Sequence, residues 1–384
     1  MLMNTKIYLD NASTTPVDER VMKDMRPFFD EKFGNPSSLH SFGQEARVAI
    51  DESREKIADF LNCDPKEVIF TGSATEANNI MIKGVIEADD DPHVITTAIE
   101  HDAVLETVKQ SGANYSILDV DEDGFVNLKD LEEEINEKTV LVTVMYANNE
   151  IGTIQPIKEI TELIKTKNKE RDKKIHFHTD AAQAAGYLNC DVKELGVDGL
   201  TISGHKIYGP KGVGVLFKKR NVKAEPIIFG GGQEDGIRSG TYNTPFIVGI
   251  AKAVELLKKE KRKEETEELR DYMIDEVLKI EGASLNGPQK SRLPNNANFS
   301  FKGVEGESIV MILDQKGIAT STGSACSSKS LEASHVLKAI GLKDLDAHSS
   351  LRVSVGRKTT KKEIDKFLKI LPTTIERLRE ISGR

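Results

Sequence analysis

Hydrophobic and polar positions alternate along this chain in two rhythms. In VMKDMRPFF (21–29) and EARVAIDESREKIADFL (45–61), apolar residues recur every three or four positions, which predicts amphipathic helices. From residue 67 to 217 the pattern shifts to short apolar runs: EVIFTG, HVITTAI, NYSILDV, TVLVTVMYA, KIHFHTD, GLTISG and GVGVLF. Several are separated by helix-like segments such as IKEITELIKTKNKERDKK, and that βαβ rhythm predicts a mostly parallel, doubly wound α/β sheet. The charged stretch AKAVELLKKEKRKEETEELRDYMIDEVLKI (251–280) sets Ala253, Val254, Leu257, Leu269, Met273 and Val277 on a helical period. It predicts one long amphipathic helix joining two domains. The pattern then changes to NNANFSFKG and VMILDQKGIAT, read as a smaller α+β domain. The expected division is a large domain over 15–255 and a small one built from 1–14 and 256–384.

Composition narrows the class. The 384 residues are 38% hydrophobic and 30% charged, as in a folded globular protein with room for two domains. A net charge of -9 argues against nucleic acid or an anionic membrane as a bulk electrostatic partner. No membrane span is expected, because no run approaches the length of apolar chain that a bilayer requires. The N-terminal MLMNTKIYLDN lacks the apolar stretch of a secretory signal. The three cysteines, Cys63, Cys190 and Cys326, form no CxxC pair, so neither a disulfide framework nor a zinc site is expected, and a reducing cytoplasm fits.

Four segments carry candidate chemistry. In SGHKIYGPKGVGVLF (203–217), Lys206 follows a strand-like run and enters a Gly/Pro-rich turn. An isolated loop lysine is ordinarily just solvated, but one held in this way can form a Schiff base once its surroundings favour the neutral amine. Upstream, HTDAAQAAG (178–186) ends a strand-like run on Asp180 and continues in small residues that admit a flat ring. A lysine for an aldehyde and a carboxylate for a pyridinium nitrogen are what a pyridoxal phosphate site needs. His176, His178 and Asp180 also alternate onto one strand face and admit a metal reading, with no cysteine or glutamate to complete the set. TGSATEANN (71–79) places small polar residues at a helix start, which is either an ordinary cap or a phosphate cradle. In EHDAV, His101 suits proton handling or stacking on a ring, although a lone histidine is more often structural. Cys326 sits in TSTGSACSSKS, among residues too small to pack around it.

Together with YLDNASTTPVD, GNPSSLH, NNEIGTIQPI, GGGQEDGIRSGTYN, ASHVL and SLRVSVGR, these blocks resemble, in order from about residue 7 to 357, the cysteine desulfurases of the NifS and IscS types. The resemblance implies a fold type I pyridoxal-phosphate-dependent transferase with a seven-stranded, mostly parallel sheet, acting as a homodimer. It implies that Lys206 binds the cofactor aldehyde, Asp180 its ring nitrogen and Gln183 its phenolic oxygen. His101 would stack on the ring and handle protons. Ala74, Thr75, Ser203 and His205 would hold the phosphate, and Thr241 would reach the phosphate of the other subunit. Asn149 and Arg352 would fix L-cysteine, the arginine by its planar fork. Cys326 would take the substrate's sulfur as a persulfide, release L-alanine and pass the sulfur to an acceptor.

That acceptor is expected to be an iron–sulfur scaffold, a tRNA-thiolation protein or another sulfur-accepting protein. No resident metal is implied, Cys326 apart as a transient iron–sulfur ligand. Selenocysteine lyase and an aminotransferase-like enzyme remain alternatives; the latter has no need of Cys326. Three details depart from the family pattern. Asp235 stands where many relatives have arginine, Ser13 replaces a usual alanine and is expected to be harmless, and the chain stops at LREISGR, where scaffold-dedicated relatives often extend further.

Overall fold

The computed structural model describes residues 6–260, 263–323 and 333–382. A two-residue strand, β1 (Ile7–Tyr8), precedes the main sheet. The sheet is built from β2 (Val68–Thr71), β3 (His93–Thr97), β4 (Asn114–Leu118), β5 (Thr139–Thr143), β6 (His176–Asp180), β7 (Gly199–Ser203) and β8 (Gly214–Lys218). Each of the seven apolar runs supplies one of these strands. Their order is β2-β8-β7-β6-β5-β3-β4, and β8 alone runs antiparallel to its neighbours.

Side chains of alternate residues leave the sheet on opposite faces. Val68, Phe70, Ile95 and Val142 join one apolar cluster, with Ile50 and Ile57 of the Ser41–Leu61 helix and Ile250 and Val254 of the Thr244–Lys259 helix. Ile69, Val94, Leu141 and Leu216 join another, with Ile80 and Met81 of the Ala74–Glu87 helix. With helices on both faces, strands β3, β5 and β7 are buried along their whole length, which is why they read as unbroken apolar runs. Edge strand β4 is exposed over most of its length.

The remaining strands are β9 (Ala283–Asn286), β10 (Asn296–Phe301), β11 (Ile318–Ala319) and β12 (Ser350–Ser354). β9, β10 and β12 form a three-stranded antiparallel sheet, and β11 pairs with β1 in parallel. Here a separate cluster gathers Ile7 and Leu9 from the start of the chain with Phe299, Leu351, Phe367 and Leu371.

The long helix expected over 251–280 is instead two helices, Thr244–Lys259 and Lys263–Val277. Glu260 leaves the helical region at φ -108°, ψ 89°. Its carboxylate is drawn to Arg20 Nη1 at 2.5 Å and Arg357 Nη1 at 3.4 Å. Helical periodicity survives such a break, so the pattern could not reveal it. VMILDQKGIAT likewise divides, into the end of the Gly306–Gln315 helix and the short β11.

Candidate active site

β2, β3, β5, β6 and β7 run in one direction and deliver their C-terminal ends to one edge of the sheet. α/β sheets characteristically bind ligands at that edge. A cavity of about 570 Å³ opens there, lined by Ala74, Thr75, His101, Asn149, Asp180, Gln183, Ser203, His205, Lys206 and Arg352. These ten come from segments spread over more than 270 residues of sequence and converge only in the fold. Thr241 is not in the lining and is exposed. Cys326 lies outside the described residues.

Lys206 follows β7 in a short 3-10 turn. Its Nζ donates to the main-chain oxygens of Ala12 at 2.6 Å and Ser13 at 2.9 Å. Gln183 Nε2 donates to the same Ala12 oxygen at 3.0 Å. Asp180 closes β6 and is nearly buried; Asn78 Nδ2 donates to its Oδ2 at 2.6 Å and Ala182 N to its Oδ1 at 2.8 Å. Asn78 lies within the TGSATEANN block but was not singled out from the sequence; the signal that could have found it is a polar residue on the buried face of a helix.

At the start of the Ala74–Glu87 helix, Ser73 caps with its hydroxyl, accepting from Glu76 N at 3.1 Å. Among the described residues Ala74 N and Thr75 N have no acceptor, as first-turn donors require a partner from outside the helix. Gly214 of β8 lets this turn sit close, since a Cβ there would lie 2.6 Å from the Ser73 backbone. His205 Nδ1 contacts Thr14 Oγ1 at 3.1 Å. Burial, then the charges of Lys206 and Lys211, lower its pKa to about 4, so the ring is neutral at physiological pH.

His101 caps the Asp102–Lys109 helix, its Nδ1 accepting from Ala103 N at 3.0 Å. A neutral ring bonded in this way carries its proton on Nε2. Before it in the chain, Glu100 is fully buried. Its Oε1 accepts from Thr97 Oγ1 and Met145 N, both at 2.8 Å, and its Oε2 has no partner among the described residues. Burial above all, with a contribution from Asp180, pushes its pKa up to about 8. Across the cavity, Glu150 is also buried and raised by desolvation, and Ser334 Oγ donates to its Oε2 at 2.6 Å.

Arg352, on β12, is almost wholly buried and spends its donors on Asp10, Ser13, Asn149 and Gly323. Ser13, which stands in place of a usual alanine, has its hydroxyl in this network, accepting from Arg352 Nη2 at 2.6 Å. Asp235 is exposed in a left-handed turn at φ 53° and does not line the cavity. The metal reading of β6 loses its central ligand: both ring nitrogens of His178 are taken, by Thr143 Oγ1 at 2.9 Å and Thr201 Oγ1 at 3.1 Å.

The donor set fits pyridoxal phosphate. A buried carboxylate can face a cationic ring nitrogen, a lysine can face an aldehyde, and an open helix N-terminus beside Ser203 and His205 can hold a dianion.

The Aminotransferase class-V family model matches residues 7–367, and the chain belongs to that family, whose members are generally pyridoxal-phosphate enzymes. Within it, the similarity is to cysteine desulfurases. The cysteine desulfurase IscS of Dictyoglomus turgidum is 50% identical over 388 residues, covering 99% of this chain and 97% of that protein. Cysteine desulfurase IscS 1 of Archaeoglobus fulgidus is 49% identical over 382 residues, covering 98% of each. Among solved structures, a NifS-like protein superposes with a TM-score of 0.90 at 38% identity, covering 97% of this chain and all of that one. No helix among the described residues is long and apolar enough to cross a membrane.

Proposed function

We propose that this chain is a cysteine desulfurase that binds pyridoxal phosphate, converts L-cysteine to L-alanine and hands the sulfur on as a persulfide of Cys326. The observation that carries the reading is the convergence of Lys206, Asp180, the Ala74–Glu87 helix N-terminus and Arg352 on one cavity. When bound, the cofactor supplies an electron sink for the pair left as the substrate's Cα–H bond breaks.

The protein's own groups supply the rest. Asp180, held by Asn78, would face the ring nitrogen, and Gln183, which shares the Ala12 oxygen with Lys206, would bind the ring's phenolic oxygen. Ala74 N, Thr75 N, Ser203 and His205 hold the phosphate, His205 as a neutral ring. His101 covers the site with an Nε2–H donor. Its Nδ1 takes up a proton only by giving up Ala103 N. Arg352 and Asn149 fix the carboxylate of L-cysteine. Lys206, once released from the Ala12 and Ser13 oxygens, is the nearby amine able to move a proton. The Cys326 thiolate attacks the substrate's sulfur; the S–S bond forms as the C–S bond breaks, and the former Cβ takes a proton to become the methyl of alanine.

The enzyme acts as a homodimer in this reading, with Thr241 reaching a second copy's site. Support comes from exposed Leu39 and from Phe33 and Phe42, exposed rings 5.8 Å apart. The persulfide goes to a sulfur acceptor such as an iron–sulfur scaffold. The division into a large unit over 15–255 and a small one from 1–14 and 256–384 is also our reading, supported by the separate cluster that unites Ile7 and Leu9 with Phe367.

The test is to supply pyridoxal phosphate, L-cysteine and a reductant and to quantify alanine and sulfide together, wild type beside Cys326→Ser. Equal amounts of both products, lost in the variant, support the reading. Neither product from a yellow, cofactor-loaded wild type overturns it.

A further inference from the structure

Arg352 has five N–H donors. Nη1 gives its two to the main-chain oxygens of Asn149 at 3.0 Å and Gly323 at 3.3 Å. Nη2 gives its two to Asp10 Oδ1 at 3.0 Å and Ser13 Oγ at 2.6 Å. The fifth, on Nε, is buried and has no partner among the described residues. The Ser13 hydroxyl in turn donates to Asp10 Oδ1 at 2.8 Å. Asp10 Oδ1 and Ser13 Oγ thus stand before Nη2 as a pair of oxygens joined by one proton.

A carboxylate is best held by two parallel N–H groups of a guanidinium. Among the described residues the one unengaged donor of Arg352 is Nε–H, and its side-on partner is an Nη2 N–H. Both Nη2 N–H groups are taken, by Asp10 and Ser13. We propose that the Ser13 hydroxyl, held by Asp10, occupies the substrate-carboxylate fork of Arg352 in the substrate-free enzyme and sets the affinity for the amino acid by yielding it. The proposal rests on the reading that Arg352 binds the substrate carboxylate. Ser13 is a positioning residue here, acting through Arg352. An exchange of this kind costs the incoming carboxylate one hydrogen bond that the enzyme has already made. Arg352 keeps Asp10 throughout, so its charge is never left unpaired in the interior.

The Lys206 contact at this position uses the Ser13 main-chain oxygen, which a side-chain change leaves in place. Ser13→Ala therefore frees one Nη2 donor and, besides that contact, removes only the hydroxyl's hydrogen bond to Asp10 Oδ1 among those identified at the site. The holoenzyme is titrated with L-alanine, which carries the carboxylate but no sulfur, and binding is read from the visible absorbance. KM and kcat for L-cysteine are measured beside it, with Arg352→Lys as the control. Ser13→Ala is expected to bind L-alanine about three- to tenfold more tightly and to lower KM with kcat little changed, the size of one hydrogen bond no longer displaced. Structural damage would not tighten binding. An unchanged or weaker affinity in Ser13→Ala, with Arg352→Lys weakened, overturns the proposal and leaves the carboxylate reading intact. An unchanged Arg352→Lys affinity overturns both. Should Ser13→Ala fail to fold, Ser13→Gly also removes the hydroxyl and is read in the same way.

Discussion

Asn78 donates to Asp180 at 2.6 Å and ties the helix that presents Ala74 and Thr75 to the strand that ends in the site's carboxylate. One amide thus couples the end of the cavity suited to a phosphate with the end suited to a ring nitrogen. Asn78→Ala leaves a nearly buried carboxylate short of a donor. Equilibrium titration of the apoprotein with pyridoxal phosphate is expected to show about tenfold weaker binding, the size of one hydrogen bond to a charged group. Wild-type affinity in this variant would show that the coupling does not matter to the cofactor.

Glu100 gives the fold a pH dependence of known sign. An unfolded glutamate ionises near 4.5, whereas burial holds Glu100 protonated up to about 8. Between those values the folded chain keeps a proton that the unfolded chain has lost, so this residue's contribution to stability declines as pH rises. Glu100→Gln keeps the acceptor for Thr97 and Met145 N and removes the titration. Urea unfolding at about pH 5 and pH 8 should show the variant gaining on the parent at the higher pH, by an amount on the order of a few kcal/mol. Parallel pH profiles would mean that Glu100 is ionised in the native state.

Arg54 and Glu234 form a bidentate ion pair, both N–H···O contacts 2.8 Å, with Glu234 almost fully buried and the guanidinium over the Phe70 ring. Glu234→Ala strands the arginine without its anion. The free energy of unfolding in urea is expected to fall by about 3 kcal/mol. A loss under about 1 kcal/mol would place the pair with solvent-screened surface bridges instead.

Burial pushes the thiols of Cys63 and Cys190 up to about 12. Neither offers a thiolate at neutral pH, and thiolate is the form that alkylates. The native protein should therefore take up one iodoacetamide group, on Cys326, as read by peptide mass spectrometry. Labelling of Cys63 or Cys190 at a comparable rate would contradict the burial argument.

The strands of the main sheet were legible because each is a short strand-like run separated from the next by turn or helix-like segments, and in the central strands that run is largely apolar. β3, β5 and β7 are wholly buried, and no neighbour in sequence is needed to see it. The residue types that suit a pyridoxal phosphate site were legible too. A lysine in a Gly/Pro turn, an aspartate at a strand end and a histidine after a strand-like run are local patterns, and family resemblance extended them to Gln183 and Arg352. The helix break at Glu260 was not legible; the partners that Glu260 meets there, Arg20 and Arg357, come from the two far ends of the chain.

The same limit separates the named site residues from their supports. Sequence by itself determined the strands, the candidate lysine and carboxylate, and the family, because these rest on periodicity and on short motifs. Tertiary structure alone decided that Asn78 serves Asp180, that Glu100 is walled off from water, and that Ser13 meets Arg352 across 339 positions of chain. Hydrogen-bond partners and burial are properties of the space between elements, and a local pattern carries no record of which distant residue will fill it.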